Sequence, residues 1–429
     1  MRAAVHSLTL RGRAFLAAGL SALACAVLLG QRDLARAGVL LVALPLVSAA
    51  ATARARCLLS CRRHVEPGRM PAGTTGEVLV EVENLSRLVS GVRLQDAVPA
   101  PLGRSPRFVL DRFEHGARRY LTYPLHPGTR GRYQLGPLRL TVSDPFGMCE
   151  LTRTLSATDS LIVTPPHEPL PALHLGGDWA GDANSPARAV AAAGEDDVAT
   201  REYRHGDELR RVHWPATARR GELMVRREER PWQSRASVLV DSRAGAHLGA
   251  GAASSFEFAV SAAASIGVHL IRRRYAVRLL DAEGARHAMT AWESTGASAA
   301  AEGWLLDELA VIETSPRPDL DPALHLLRRG GGDGLVVVVA GSLDSDTVSD
   351  LARARHGSTT ALAVLLDTDS WAGRDGTALA RSHADVLSST GWRVVVASRT
   401  DQLGALWARL GGRTARVGPT PVAGAGPLP

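Results

Sequence analysis

The chain opens with two uninterrupted apolar runs. Ala14 to Gly30 (AFLAAGLSALACAVLLG) and Gly38 to Ala53 (GVLLVALPLVSAAATA) lie either side of the polar stretch QRDLARA. Each run comes close to the roughly 17–25 residues that cross a bilayer as a helix. A signal peptide would account for the first run, with Arg2, Arg11 and Arg13 as its basic start. A second run directly behind it predicts instead a membrane hairpin over residues 1–63, with helices at about 14–30 and 38–53. Arg2, Arg11 and Arg13 flank the outer end of the first helix, and Arg54, Arg56, Arg62 and Arg63 that of the second. The linker holds only Arg32 and Arg36 beside Asp33. By the positive-inside rule both termini lie in the cytoplasm, so the chain is expected to be a multi-pass plasma-membrane protein with cytoplasmic soluble domains.

From residue 64 to 165 the period changes to two. Glu77–Glu83 (EVLVEVE) alternates strictly, which puts Val78, Val80 and Val82 on one face of a strand. Further short strands are expected at Val92–Leu94, Arg119–Tyr123, Gly136–Val142 and Asp159–Val163. Short strands at this spacing, broken by Gly/Pro turns such as RGRY at Arg130 and DPFG at Asp144, predict an antiparallel β-sandwich. Residues 166–194 are rich in Pro, Gly, Ala and Asp without a period and read as a linker or strap.

A third pattern fills residues 237–417. Ser237–Asp241, Tyr275–Asp281, Leu335–Ala340 (LVVVVA), Ala361–Asp367 and Trp392–Ala397 are short, apolar and strand-like. Between the first two, Ser254–Arg274 places Phe256, Val260, Ala263, Gly267 and Leu270 at helical spacing behind a capping-box pair, Ser254 and Glu257. Ala299–Glu313 is a second helix. Strands alternating with helices predict an α/β doubly wound domain on a parallel sheet. The Gly/Pro-rich tail 418–429 is expected to fray.

The formal charge of +7 is carried without a single lysine among the 429 residues. A P-loop, a kinase and a Schiff-base enzyme each need one, so nucleotide hydrolysis by those routes is excluded. The arginines are interleaved with acids, and aromatics make up only 4% of residues, which argues against nucleic acid. Cys25, Cys57, Cys61 and Cys149 offer one C-x3-C pair without a second, a poor zinc framework. Free thiols are the expectation.

Between the β and α/β regions, residues 195–236 carry a different density. Arg201, Tyr203, Gly206, Asp207, Arg210, His213, Trp214, Arg219 and Arg226 stand close together without a long apolar run. Asp207 can cap a short helix from Glu208 to Trp214, which Pro215 would stop, with Leu223–Arg226 resuming as a strand. On that helix Arg210 and His213 share a face, as do Arg211 and Trp214. Two readings stay open. One is a polar clasp in which Arg201, Asp207 and Arg210 pair and Trp214 packs on the sheet. The other is an Arg/His surface that docks an acidic partner or a nucleotide-bearing ATPase. Catalysis through Asp207 and His213 lacks a nucleophile and an oxyanion site.

The run REY-x-x-GD-x-x-R-x-x-HW, continuing through Ala218-Arg219 and Leu223 to Arg226, resembles the signature of a bacterial family, domain of unknown function number 58. The layout resembles it too: hairpin, β-domain with its RGRYQLGPL and DPFG turns, signature, α/β domain. The resemblance implies a C-terminal domain like von Willebrand factor A and association with MoxR-type AAA+ ATPases. In von Willebrand A domains the first strand ends in Asp-x-Ser-x-Ser, which holds a divalent ion through oxygen. Here Asp241 and Ser242 remain, but Arg243 and Gly245 replace both serines, so no bound metal and no cofactor are expected. The glycines of Gly249–Ser254 lack the third glycine and distal acid of a dinucleotide fingerprint. The expectation is a non-enzymatic membrane-anchored adaptor or scaffold in the inner (plasma) membrane. The alternatives are a metal-dependent ligand-binding module and, behind it, an enzyme built on Asp207 and His213.

Overall fold

The computed structural model describes residues 8–54, 58–86, 89–173, 200–202, 214–226, 235–288, 297–329, 334–355, 359–374 and 378–411. They fall into two compact units that meet in sequence at Pro166/His167.

The first unit begins with helices α1 (Leu10–Leu29) and α2 (Arg32–Arg54), both long and apolar enough to cross a membrane. Helix α1 starts four residues before the apolar run because the Thr9 hydroxyl accepts the Gly12 N–H and caps it. It ends at Gly30, whose φ of 64° is the left-handed conformation that terminates helices. The expected polar linker is a correction: Arg32, Asp33 and Arg36 lie inside α2, and only Gly30 and Gln31 separate the helices. Asp33 in the first turn suits the positive end of the helix dipole, and it pairs with Arg36 at 2.9 Å. The helices meet at two glycines. A Cβ on Gly19 would lie 3.0 Å from the Gly38 carbonyl oxygen, and one on Gly38 3.1 Å from that of Gly19.

Ten strands follow: β1 (Leu59–Glu66), β2 (Arg69–Pro71), β3 (Gly76–Asn84), β4 (Val89–Asp96), β5 (Arg107–Phe113), β6 (Arg118–Leu125), β7 (Gly131–Leu135), β8 (Leu138–Ser143), β9 (Glu150–Leu155) and β10 (Asp159–Thr164). They form three sheets, β1-β3-β6, β2-β10-β7 and β5-β4-β8-β9, antiparallel throughout except for β2 beside β10. Val78, Val80 and Val82 all face the core they share with Leu94, Phe113, Leu140 and Leu161, as the period of two dictates. Strand β1 corrects the reading of Arg62 and Arg63 as helix flanks. The strand starts at Leu59, and Arg63 points into the core.

There Arg63 holds a buried polar network. Its Nε and Nη2 donate to both oxygens of Asp96 at 3.0 and 2.8 Å, and Nη1 donates to Asp159 at 2.7 Å and to the Leu135 carbonyl at 3.3 Å. The Tyr123 hydroxyl donates to Asp96 at 2.6 Å. Burial, opposed and outweighed by the Asp96 and Asp159 carboxylates, leaves the guanidinium pKa raised; burial and Asp96 push the Tyr123 phenol up as well. Gly136 touches this network. Its φ is +91°, and a Cβ would meet Arg63 Nη2 at 2.9 Å, which is why the eighth strand starts at Leu138 and not at Gly136.

The second unit starts with a strap. Glu168 N–H donates to Ser265 Oγ at 3.1 Å, Trp407 Nε1–H to the Pro171 carbonyl at 3.1 Å, and Leu170 and Leu173 enter the core. Next come β11 (Thr200–Glu202), α3 (Trp214–Arg220) and β12 (Met224–Arg226), then β13 (Arg235–Val240), α4 (Ser255–Arg272), β14 (Ala276–Asp281), β15 (Gly284–Ala288), α5 (Ala297–Val311), α6 (Asp321–Arg329), β16 (Leu335–Ala340), α7 (Ser345–Ala354), β17 (Thr360–Leu366), α8 (Ala378–Ser389), β18 (Arg393–Ala397) and α9 (Leu403–Gly411). The main sheet has the order β15-β14-β13-β16-β17-β18. Five strands run parallel, and β15 is an antiparallel edge. All six residues of β16 are buried because both faces are covered. Val337 and Val339 pack with α4, α5 and α9 on one face; Val336 and Val338 pack with α6, α7 and α8 on the other.

Candidate functional site

The first strand of the parallel set, β13, sits between β14 and β16. The chain therefore leaves β13 toward one side and returns on the other, and in open α/β sheets the crevice at such a reversal is where ligands bind. Asp241 stands at the end of β13 and Gly341 at the end of β16. The Asp241 carboxylate is fully buried, and all its acceptor positions are filled. Oδ1 accepts from Arg243 N at 3.1 Å and Arg243 Nε at 2.9 Å. Oδ2 accepts from Arg243 Nη2 at 2.8 Å and Gly341 N at 3.2 Å. The guanidinium reaches on to the carbonyls of Ser342 at 3.0 Å and Pro318 at 3.2 Å. Burial opposes its charge, but the Asp241 pair outweighs that, and the Arg243 pKa is raised.

The surrounding loops are sewn to this pair. Ser315 N–H donates to the Ser242 carbonyl at 2.6 Å, Ala244 N–H to the Ser315 carbonyl at 2.8 Å, and Ser315 Oγ to Glu283. Ser242 Oγ accepts from Ala282 N at 3.1 Å. Ser342 N–H donates to the Ala246 carbonyl at 2.8 Å, and a Cβ on Gly341 would lie 2.2 Å from that oxygen. His247 bridges the Asp241 carbonyl, 2.7 Å from Nε2, and Ser255 Oγ, 3.1 Å from Nδ1. Burial holds the His247 pKa below its ordinary value, so the imidazole is neutral, and the carbonyl contact fixes the proton on Nε2. A Ser–His pair is present, but Ser255 is fully buried at the start of α4 and offers no route to a substrate. Beside these loops lies a cavity of about 160 Å³, lined by Ser342, Leu366, Thr368, Asp369 and His383 among others. That is below the roughly 300–1,000 Å³ of drug-sized sites. It has room for a small molecule or one inserted side chain, not a dinucleotide.

The signature residues divide. Arg201 lies on β11 and Arg226 on β12, paired antiparallel in the registers Arg201↔Val225 and Thr200↔Arg226. The strand expected at Leu223–Arg226 is β12. Tyr203, Gly206, Asp207, Arg210 and His213 lie outside the described residues, as does most of the helix expected over Glu208–Trp214. Within the described residues, Pro215 stands in the first turn of α3. Proline is suited to a first helical turn, where its missing N–H has no partner to lose. Trp214 is 66% exposed, so the reading that packs it on the sheet is corrected, and Arg219 and Arg220 are exposed on the same short helix. Met224 N–H donates to Thr217 Oγ1 at 3.0 Å and ties α3 to β12.

Asp241 was legible as a motif remnant; His247, Ser255, Ser315, Gly341 and Ser342 were not, because they converge only through the sheet topology. Asp344, a strand-end acid, caps α7 by accepting the Thr347 N–H at 2.7 Å, and the Thr347 side chain, together with that bond, holds its pKa down. Cys25, Cys61 and Cys149 are free thiols, and among the described residues no three His, Cys, Asp or Glu side chains group as metal ligands.

Fold and site define a parallel-sheet α/β domain whose crevice is closed by an ion pair from its own chain, joined to a β-domain and two apolar helices. Residues 199–371 match the model of the family described as "Protein of unknown function DUF58". A comparison with curated proteins gives no match. Among solved structures, similarity is found to the CARDB domain of a Pyrococcus furiosus protein in complex with di-metal ions, at 17% identity over 25% of this chain and 86% of that one, TM-score 0.19. A β-glucosidase from Listeria innocua matches at 12% identity over 25% and 16%, TM-score 0.15. A sporulation control protein from Bacillus subtilis matches at 12% over 24% and 49%, TM-score 0.15. TM-scores this low establish no shared fold.

Proposed function

We propose that the chain is a non-enzymatic, membrane-anchored adaptor. The helical hairpin spans the plasma membrane, both soluble units face the cytoplasm, and the ten strands form a sandwich. The α/β unit is a degenerate von Willebrand A-like module offered to a MoxR-type AAA+ ATPase. The observation that carries this reading is Trp214. Trp371, Trp392 and Trp407 are each at most 7% exposed, whereas Trp214 stands 66% exposed at the start of α3, which ends in the exposed Arg219 and Arg220. Trp and Arg are the residues enriched in interface hot spots, and burying this ring against a partner recovers its apolar area. The closed Asp241 carboxylate supports recognition by surface over recognition through a metal.

The test is site-specific photocrosslinking from position 214 of the full chain in its membrane, with identification of the adduct. The expected adduct is an AAA+ protein, with affinity at least tenfold lower for Trp214→Ala and for Arg219→Glu. No AAA+ adduct, or affinity unchanged in both variants, refutes the adaptor reading.

A metal-dependent ligand-binding module has the cavity beside Asp369 and His383 in its favour. Saturable Mg²⁺ or Mn²⁺ binding by calorimetry, abolished in Asp241→Ala, would establish it. For an enzyme built on Asp207 and His213, a turnover lost in His213→Gln would be required.

A further inference from the structure

The turn between β8 and β9, Asp144–Cys149, is fastened to the hairpin well inside its apolar length. Thr9 donates its N–H to the Met148 carbonyl at 2.9 Å and its hydroxyl to the Gly147 carbonyl at 2.7 Å. Leu8 pairs with Cys149 as an antiparallel bridge, and the Cys149 thiol reaches the Pro45 carbonyl at 3.9 Å. Leu8, Leu16, Ala49 and Cys149 cluster together. A Cβ on Gly12 would fall 2.4 Å from the Met148 oxygen, so only glycine lets α1 come this close. Pro45 is nine residues from Arg54, the last of α2, or roughly 13 Å along the axis at 1.5 Å per residue.

This sets a depth. The 20 residues of α1 measure about 30 Å, the thickness of a bilayer's hydrocarbon core. Were the stretch from Leu10 to Leu16 outside the bilayer, residues 17–29 would leave about 20 Å, too short to cross. A hairpin that spans therefore carries the turn down to the level of the headgroups. What the turn presents there fits. Phe146 is 58% exposed at its tip. The Asp144 carboxylate faces inward, accepting from Cys149 N at 2.6 Å and Phe146 N at 3.2 Å. Arg11 and Arg13 are exposed on α1 to either side of Gly12, with Arg11 Nη1 3.8 Å from the Cβ position of Gly147. An aromatic ring beside arginines is the chemistry of a membrane interface.

We infer that the Asp144–Cys149 turn is a lipid-contacting element, with Phe146 seated among the headgroups of an anionic phospholipid bilayer and Arg11 and Arg13 against their phosphates. The inference rests on the membrane reading above and extends it from the helices to the β-domain.

The experiment reconstitutes the full chain in phosphatidylcholine/phosphatidylglycerol vesicles. The photoreactive p-benzoylphenylalanine is placed singly at Phe146, at Leu28 on α1, or at Glu77, which is exposed at the end of β3 remote from Leu59. Irradiation is expected to give lipid adducts at positions 146 and 28 and none at 77. Adducts at 28 but not 146, or equal yields at 146 and 77, overturn the inference while the membrane reading stands. No adduct at 28 rejects the membrane reading itself. In Arg11→Gln/Arg13→Gln the yield at 146 is expected to fall severalfold with that at 28 unchanged; equal yields at 146 remove the arginines from the proposal.

Discussion

Replacing Arg243 with methionine keeps an unbranched side chain of similar reach and removes the charge. Asp241 loses two of its four hydrogen bonds, those from Nε and Nη2, and keeps the N–H groups of Arg243 and Gly341. The carbonyls of Ser342 and Pro318 lose their donors as well. Breaking one partner out of a buried ion pair costs about 3–5 kcal/mol because the other charge stays buried. The assay is amide hydrogen exchange on the full chain, read at β13 and β16, whose N–H groups lie in the centre of the sheet and open only when the α/β unit does. At about 1.4 kcal/mol per tenfold, those amides should exchange at least about 100-fold faster in Arg243→Met. In Asp241→Asn/Arg243→Met the buried charge is gone, and much of the protection should return. Exchange in the single variant within about fivefold of wild type, or a double variant no better than the single, would refute the claim that this pair closes the crevice.

Other outcomes follow from particular contacts. Tyr123→Phe deletes the 2.6 Å bond to the buried Asp96 and is expected to destabilise the β-domain by about 1.5–3 kcal/mol, read as faster limited proteolysis of that unit. Gly341→Ala forces a methyl against the Ala246 carbonyl; overpacking of this kind costs about 1–3 kcal/mol, and a lowered melting temperature of the α/β transition should report it. Burial depresses the pKa of His247, and burial together with Arg273 depresses that of His269. Both are neutral in the fold and bind protons more readily when it opens. Their stabilisation is therefore complete above the ordinary histidine value near 6.5 and is lost as pH falls below it, so protection at β13, taken relative to the intrinsic exchange rate at each pH, should fall on acidification, less so in His247→Gln/His269→Gln.

Periodicity made most of the architecture readable. LVVVVA could only be a doubly buried strand, and EVLVEVE only a half-buried one, since burial on one face or two writes itself directly into hydrophobic spacing. Strand β1 was hidden because Cys61, Arg62, Arg63 and His64 look polar; the guanidinium is buried only because Asp96 and Asp159, 33 and 96 residues away, come to meet it. Strand β15 was hidden in the same manner, as its only partner among the described residues is β14. At the crevice, the sequence placed a positive charge beside Asp241 and stopped there. That the charge fills both carboxylate oxygens needed the carbonyls of Pro318 and Ser342, 75 and 99 residues on, to orient the fork.

A positive charge that belongs to the chain has no dissociation constant. The guanidinium against Asp241 cannot be chelated, diluted or exchanged for another ion, and it arrives with the folding of the loop between β13 and α4. A surface completed by a captured ion is present only when the ion supply allows. This edge of the sheet is complete whenever the domain is folded, and its shape stays the same across the ionic conditions of a cell.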